Sequence, residues 1–320
     1  MSNGPSTSIA IDRGDVGIRI DRVLLRHLTH VRGASRNRIQ RLIDEGAVRL
    51  NGRTVTRASV RVAAGDSLNI QLPERRPRSK PQPEALPLEI LYEDDELIVV
   101  NKRAGQVSHP AFKNASGTLL NALLARARDR WTPALVSRLD KGTSGLVLVA
   151  KRADVQSKLQ RLSQRNGIEK DYLAVVHGKP PARGTIDLAL DRDPWDARRV
   201  TVRDRGGVPS VTKFERLSTA QAGPRDVYSL VKCRLVTGRT HQIRVHLSSK
   251  GWPIVGDPVY GRTRELPGTP ALINRQALHA WRIALEHPAS GAWLEVFAPI
   301  PPDLRTLLQE LSLAVPAPPS

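Results

Sequence analysis

The chain has 320 residues, 40% of them apolar, which suffices for two domains with ordinary hydrophobic cores. Fifty lysines and arginines against 31 acids give a formal charge of +19, which favours a polyanion through counterion release and puts nucleic acid first among partners, although an arginine-biased genome would leave the same imbalance. A single cysteine, Cys233, excludes an intramolecular disulfide, no Cys/His cluster offers four zinc ligands, and no long apolar stretch suggests a membrane span or secretory signal, so a cytoplasmic protein without structural metal is expected.

Residues 1–16 are polar, with Gly, Pro and Ser and no periodicity, and read as a flexible tail. A small domain follows over residues 17–73. Asp21 is placed to cap a helix carrying Val23, Leu24 and Leu28, and Ser35 a second one carrying Ile39, Leu42 and Ile43, which Gly46 ends. Asn51-Gly52 between the strand-like runs Ala47–Leu50 and Arg53–Val55 has the chemistry of a tight hairpin. From Ile18 to Pro73 there are eleven arginines and four acids, a net charge of +7. Residues 74–88, ERRPRSKPQPEALPL, read as a semi-rigid linker.

Strands and helices mix from Glu89 to about residue 303. Leu97–Val100 and Leu146–Val149 read as buried strands, and Val155, Leu159 and Leu162 keep helical spacing between Asp154 and Gly167. Val227–Val236 reads as a strand leading into a helix over His241–Ser249. No period of 20 to 50 residues recurs, which argues against a repeat protein. Residues 304–320 hold a docking helix, capped by Asp303 and carrying Leu304, Leu307, Leu308 and Leu311, and then a Pro-rich tail.

Four segments join reactive side chains to apolar flanks: VVNKRAGQVSHP (99–110), SRLDKGTSGLVLVAK (137–151), EKDYLAVVHGK (169–179) and TGRTHQIRVHL (237–247). In the second, Asp140 ends a loop just before glycines and a strand, an arrangement that holds a carboxylate rigidly beside a cleft. Taken alone, Arg-Leu-Asp is a common tripeptide, and Asp140 could equally cap a turn or pair with Arg138.

Two resemblances give these segments meaning. Arg19 and Asp21, then SRNRIQRLIDEG, VRLNGRTV and AAGD, resemble the RNA-binding domain named after ribosomal protein S-four; the resemblance makes Arg36, Arg38, Arg41 and Arg53 candidate phosphate contacts, which position RNA without reading its sequence. The four segments, with GDPVYG (256–261) and LHAW (278–281) in order behind them, closely resemble the RluA/RluD-type pseudouridine synthases over roughly residues 89–300. That resemblance implies an α+β fold with a mixed, mainly antiparallel central sheet flanked by helices, and conversion of uridine to its carbon-linked isomer without metal or cofactor.

The family's catalytic aspartate falls on Asp140, its active-site tyrosine on Tyr172 and the cation expected against the carboxylate on Arg244. Isomerisation breaks the bond from ribose to uracil nitrogen, turns the base and rejoins it through carbon five. A carboxylate can serve as nucleophile or as base on a glycal route, and the residues do not choose between them. Arg138 matches the arginine that enters RNA where the target nucleotide leaves the stack. Leu146 and Ile243 are expected to line the pocket, and Lys102 and His241 to touch RNA or hold loops. Ser137 and Arg103 depart from the family's usual histidine and proline, beside the key segments but not at catalytic positions.

The pairing of these two domains resembles enzymes that modify large-subunit ribosomal RNA, with transfer RNA the alternative; a monomer is expected. A non-catalytic RNA-binding or assembly factor would have lost Asp140, Tyr172 or Arg244, and a glycosidic hydrolase would need a second carboxylate, which the segment around Asp140 does not provide.

Overall fold

The computed structural model describes residues 6–28, 36–72, 80–110, 114–194, 196, 198–222, 226–261 and 273–314. The chain divides into two compact units, Met1–Lys80 and Pro81–Ser320. Among the described residues no helix is long and apolar enough to cross a membrane.

The first unit comprises strand β1 (Ser6–Ala10), helices α1 (Ile20–His27) and α2 (Arg36–Asp44), and strands β2 (Val48–Leu50), β3 (Arg53–Val55) and β4 (Ser67–Gln71). The strands form an antiparallel sheet in the order β1-β4-β2-β3. Asn51 and Gly52 both take positive φ (50° and 77°), as the two-residue turn between β2 and β3 demands. Ile20, Val23, Leu24, Ile39, Ile43, Val48, Leu68 and Ile70 close a core of their own.

Three expectations for this unit are corrected. Residues 6–10 are a strand rather than tail: Thr7 pairs with Ile70 and Ile9 with Leu68, and Ile9 and Ile11 reach the core. Asp15, also assigned to the tail, is fully buried against His27 and Arg26 at 2.6 and 3.1 Å. Asp21 does not cap α1; the cap position is Arg19, and Asp21 lies buried in the first turn, taking two 3.0 Å bonds from the Arg19 guanidinium. Ser35, expected to cap α2, lies outside the described residues.

The second unit begins within the expected linker. Residues 74–79 of that stretch are outside the described residues, but Asn121 Nδ2 donates to Gln82 O (2.6 Å), Glu84 N donates to Asn121 O (3.0 Å), and Gly117 N donates to the Glu84 carboxylate (2.9 Å). Residues 82–84 are thereby fastened to the unit.

Its elements run β5 (Glu89–Glu93), β6 (Leu97–Lys102), α3 (Leu119–Ala127), β7 (Ala134–Leu135), β8 (Ser144–Ala150), α4 (Ala153–Gln164), β9 (Ile168–His177), β10 (Arg183–Asp187), β11 (Leu190–Arg192), β12 (Val200–Val202), β13 (Val211–Gln221), β14 (Val227–Leu235), α5 (Gln242–Ser249), β15 (Leu278–Glu286), β16 (Trp293–Phe297) and α6 (Pro302–Glu310). The main sheet runs β10-β13-β14-β9-β15-β8-β6-β5, with β16 on β15 and β7 on β8; β11 and β12 form a separate arm. The pairing of β15 with β8 is parallel and the others are antiparallel, which is the mixed, mainly antiparallel sheet expected.

Both faces of the sheet are covered, which is why β6 and β8 read as continuous apolar runs rather than alternating ones. Ile98, Val100, Val147 and Val149 join the larger core with Leu119, Leu123, Ile243 and Leu247. Leu97, Val99, Leu146 and Leu148 join the other core with Val155 and Leu159. Helix α6 packs Leu304, Leu307 and Leu308 into the larger core, but Asp303 does not cap it: Pro301 holds that position, and Asp303 takes the Arg275 guanidinium at 2.6 and 2.9 Å.

The two-residue parallel contact of β15 with β8 sets His279 opposite Ser144 and Ala280 opposite Gly145. Gly145 has φ 109°, and a Cβ there would stand 2.1 Å from the Ala280 carbonyl oxygen. Gly145→Ala is therefore expected to cost about 3 kcal/mol or more. Urea unfolding followed by tryptophan fluorescence checks this, since all five tryptophans lie in the second unit.

Candidate active site

Asp140 sits in the loop between β7 and β8, and its neighbours are held from both sides. The buried Ser108 hydroxyl accepts from Leu139 N (3.2 Å) and donates to Leu139 O (3.0 Å). Thr143 N donates to Asp140 O (3.1 Å), and Gly105 N to Lys141 O (2.8 Å). These bonds satisfy the backbone of a loop that has no sheet partner at this point.

The carboxylate meets Arg244, which projects from α5. Arg244 Nη1 donates to Asp140 Oδ2 at 2.9 Å, while Nε and Nη2 grip both oxygens of Asp257 at 2.7 and 2.8 Å. Asp257 Oδ1 also accepts from the backbone of Val259 (2.9 Å) and Tyr260 (3.0 Å). Burial opposes the charge on Arg244, yet the bonds and charges of Asp257 and then Asp140 raise it above the ordinary arginine value. Burial likewise opposes the Asp257 carboxylate, and Arg244 with the two backbone N–H groups holds it below the usual range.

A cleft of about 940 Å³ opens over this pair, lined by Arg138, Asp140, Tyr172, His241, Ile243 and Arg244 among others. Tyr172 reaches it from β9; burial, and next the Asp140 charge, push its hydroxyl above the ordinary tyrosine value. Arg138 lines the cleft as an exposed cation, so the alternative pairing of Asp140 with Arg138 gives way to pairing with Arg244. His241 stands at the N-terminus of α5 with φ 57°, its Nε2 3.7 Å from Asp140 Oδ2. The turn before it is set by Gln242, whose Oε1 accepts from Thr237 Oγ1 and Arg239 N and whose Nε2 donates to Val211 O and Thr212 Oγ1, at 2.8 to 3.0 Å.

One expected pocket residue is elsewhere, and Lys102 takes the loop-holding role of the two expected for it. Leu146 is not in the cleft: strand alternation from Gly145 turns it into the opposite core with Leu97 and Val99. Lys102 is not at the surface: it is 1% exposed, and its Nζ donates to the carbonyls of Arg103 and Gln106, both at 2.9 Å, and more weakly to Lys141 at 3.5 Å. Burial pulls its pKa down to about 7, although the Asp140 charge works the other way. Lys102 thus ties the 103–106 loop to the Asp140 loop instead of meeting RNA. In the first unit Arg36 and Arg41 on α2 and Arg53 on β3 are exposed, while Arg38 is half-buried.

Asp257, Ser108, Gln242 and Tyr260 are site residues that no local pattern singles out. The available signal was GDPVYG, where an acid between Gly and Pro on an apolar background has to be paired once buried.

A rigidly held carboxylate, clamped by a buried arginine at the foot of a cleft with an aromatic wall and a cationic lip, defines an enzyme of nucleophilic or acid–base chemistry on an anionic substrate. The chain belongs to the RNA pseudouridylate synthase family, whose model matches residues 96–249; the model of the S4 domain matches residues 18–68. It is 40% identical, over 97% of this chain and 89% of the relative, to ribosomal large subunit pseudouridine synthase D of Nitrosomonas europaea. It is 36% identical to the protein of that name from Escherichia coli, over 97% and 95%. The solved structure of human RNA pseudouridylate synthase domain containing 1 is 28% identical, with a TM-score of 0.55 over 74% of this chain and 98% of that one. The enzyme is accordingly an isomerase, of uridine to pseudouridine in RNA.

Lys102→Met should lower stability by about 1–3 kcal/mol, because it strands buried carbonyls, and leave the salt dependence of RNA binding unchanged. Denaturant titration and RNA binding at several salt concentrations check the two halves; an RNA-contacting lysine would give the reverse pattern.

Proposed function

We propose that this chain isomerises uridines in large-subunit ribosomal RNA, with Asp140 acting at the ribose, Arg244 compensating its charge and Tyr172 stacking on the uracil. The observation that carries the reading is the carboxylate of Asp140 held by Arg244 where the cleft also gathers Tyr172 and Arg138. The cleft is roomy enough for a nucleotide turned out of its stack, and Arg138 at its lip is suited to fill the space left behind. In the reaction the bond from C1′ to N1 breaks and one from C1′ to C5 forms; C5 loses its proton and N1 gains one. Neither an oxidant nor a second substrate enters that balance.

The choice of large-subunit RNA is supported by the names of relatives that this chain matches over nearly its whole length. The exposed Arg36, Arg41 and Arg53, with Arg38 beside them, supply sequence-independent phosphate contacts. The protein works as a cytoplasmic monomer on the free RNA or its assembly precursor.

Asp140→Asn should reduce isomerisation by about 10³-fold or more with the fold intact, read as tritium released from C5-labelled RNA. Pseudouridine maps from cells with and without the gene should differ in large-subunit RNA; a difference confined to transfer RNA overturns the substrate assignment. Replacing Arg36, Arg41 and Arg53 together by Gln should lower the salt slope of RNA binding by about 2 to 3, since each phosphate that is no longer neutralised removes roughly 0.7–0.9.

A further inference from the structure

The mechanism just described leaves His241 and Tyr260 without a role, yet the two are joined to each other and His241 stands beside Asp140. The Tyr260 hydroxyl accepts a 2.7 Å bond from Val200 N and lies 2.9 Å from His241 Nδ1. Since its acceptor side is taken by a backbone N–H, the hydroxyl hydrogen is the one available to the imidazole. An Nδ1 that accepts this hydrogen puts the ring proton on Nε2, the nitrogen 3.7 Å from Asp140 Oδ2. The backbone is bent to permit this: His241 takes φ 57° and ψ 14°, in the left-handed region that a side chain occupies at some cost. Such strain persists where the surroundings over-determine it, and here the fully bonded Gln242 does so from the next position.

Tyr260 is itself fixed. Its ring carries the Arg244 guanidinium at 5.0 Å and that of Arg199 at 5.5 Å, and it packs with Leu190 and Val245. The groups that face His241 are Asp140, Arg244, Asp257 and Tyr260. Both the Arg244 bond and the His241 approach fall on Oδ2, and among the described residues no hydrogen bond reaches Oδ1.

We propose that His241 is a positioning residue of the isomerase: a neutral imidazole, its tautomer set by Tyr260, that presents Nε2–H to Oδ2 and with Arg244 leaves Oδ1 as the reacting oxygen. The gap of 3.7 Å exceeds a hydrogen bond, so the contact tightens when RNA fills the cleft. The role rests on Asp140 being the reacting carboxylate, but the tautomer does not, and the two are tested apart.

Nitrogen-15 spectra of histidine-labelled full-length protein, with the His241 signal identified by its disappearance in His241→Gln, should show the proton on Nε2 in the wild type and a mixture in Tyr260→Phe. In single-turnover tritium release at saturating RNA, Tyr260→Phe and His241→Asn should each slow the reaction about tenfold with RNA affinity unchanged. His241→Gln, whose amide nitrogen stands where Nε2 does, should recover most of the rate. A wild-type proton on Nδ1, a Tyr260→Phe variant at full rate, or His241→Gln no faster than His241→Asn overturns the proposal. Asp140→Asn in the same assay reports separately on the carboxylate: activity retained there would remove the reacting oxygen while the tautomer stood.

Discussion

The chain of charges from Asp257 through Arg244 to Asp140 is the interaction on which the catalytic unit depends. Arg244 and Asp257 are almost wholly out of water, with side chains 5% and 0% exposed, and burying either alone would cost several kcal/mol. Each is tolerated because the other is there and because the backbone of Val259 and Tyr260 completes Asp257. With two of its guanidinium nitrogens committed to Asp257, Arg244 has one direction left for its third, and that direction is Asp140. Asp140 is about a quarter exposed, so its own bond to Arg244 contributes less to stability than to aim. The inner pair is buried and the outer pair opens to the cleft, and one arginine belongs to both.

The site could be found in the sequence because its reactive residues sit in uninterrupted segments. Asp140 precedes a strand whose apolar run is legible, and Arg244 lies on a helix that follows the ten-residue strand-like run Val227–Val236, so their elements were assigned correctly. What stayed hidden depended on register and burial. Leu146 and Val147 are equally apolar, and only the positions of β6 and β15 decide which one faces which core. For Lys102 the sequence left RNA contact and loop support both open; three carbonyls converging on one ammonium are a tertiary arrangement that no local pattern announces. Asp21 and Asp303 fitted the statistics of helix caps and instead took arginine partners, Arg19 two residues away and Arg275 far along the chain. The first strand was missed because five residues of Ser, Thr, Ile and Ala alternate too briefly to stand out beside a polar start.

Positive charge is spread over both units, whereas the cleft with its carboxylate belongs to the second alone. The first has its own core and a net charge that attracts any phosphate backbone. The second confines its reactive groups to a cleft where aromatic surface, a cation and a carboxylate meet.

Ser144 and His279, bonded through Oγ and Nδ1 at 3.0 Å where β8 meets β15, are 135 residues apart, and Asp140 and Arg244 are separated by 104. During translation the amino-terminal unit can close as soon as it leaves the exit tunnel, but β8 must wait for β15 before its central edge is covered. The amino-terminal sheet thus has all its strands by residue 71, whereas the catalytic sheet lacks a central strand until the chain has been made as far as β15, so the larger unit closes late in synthesis.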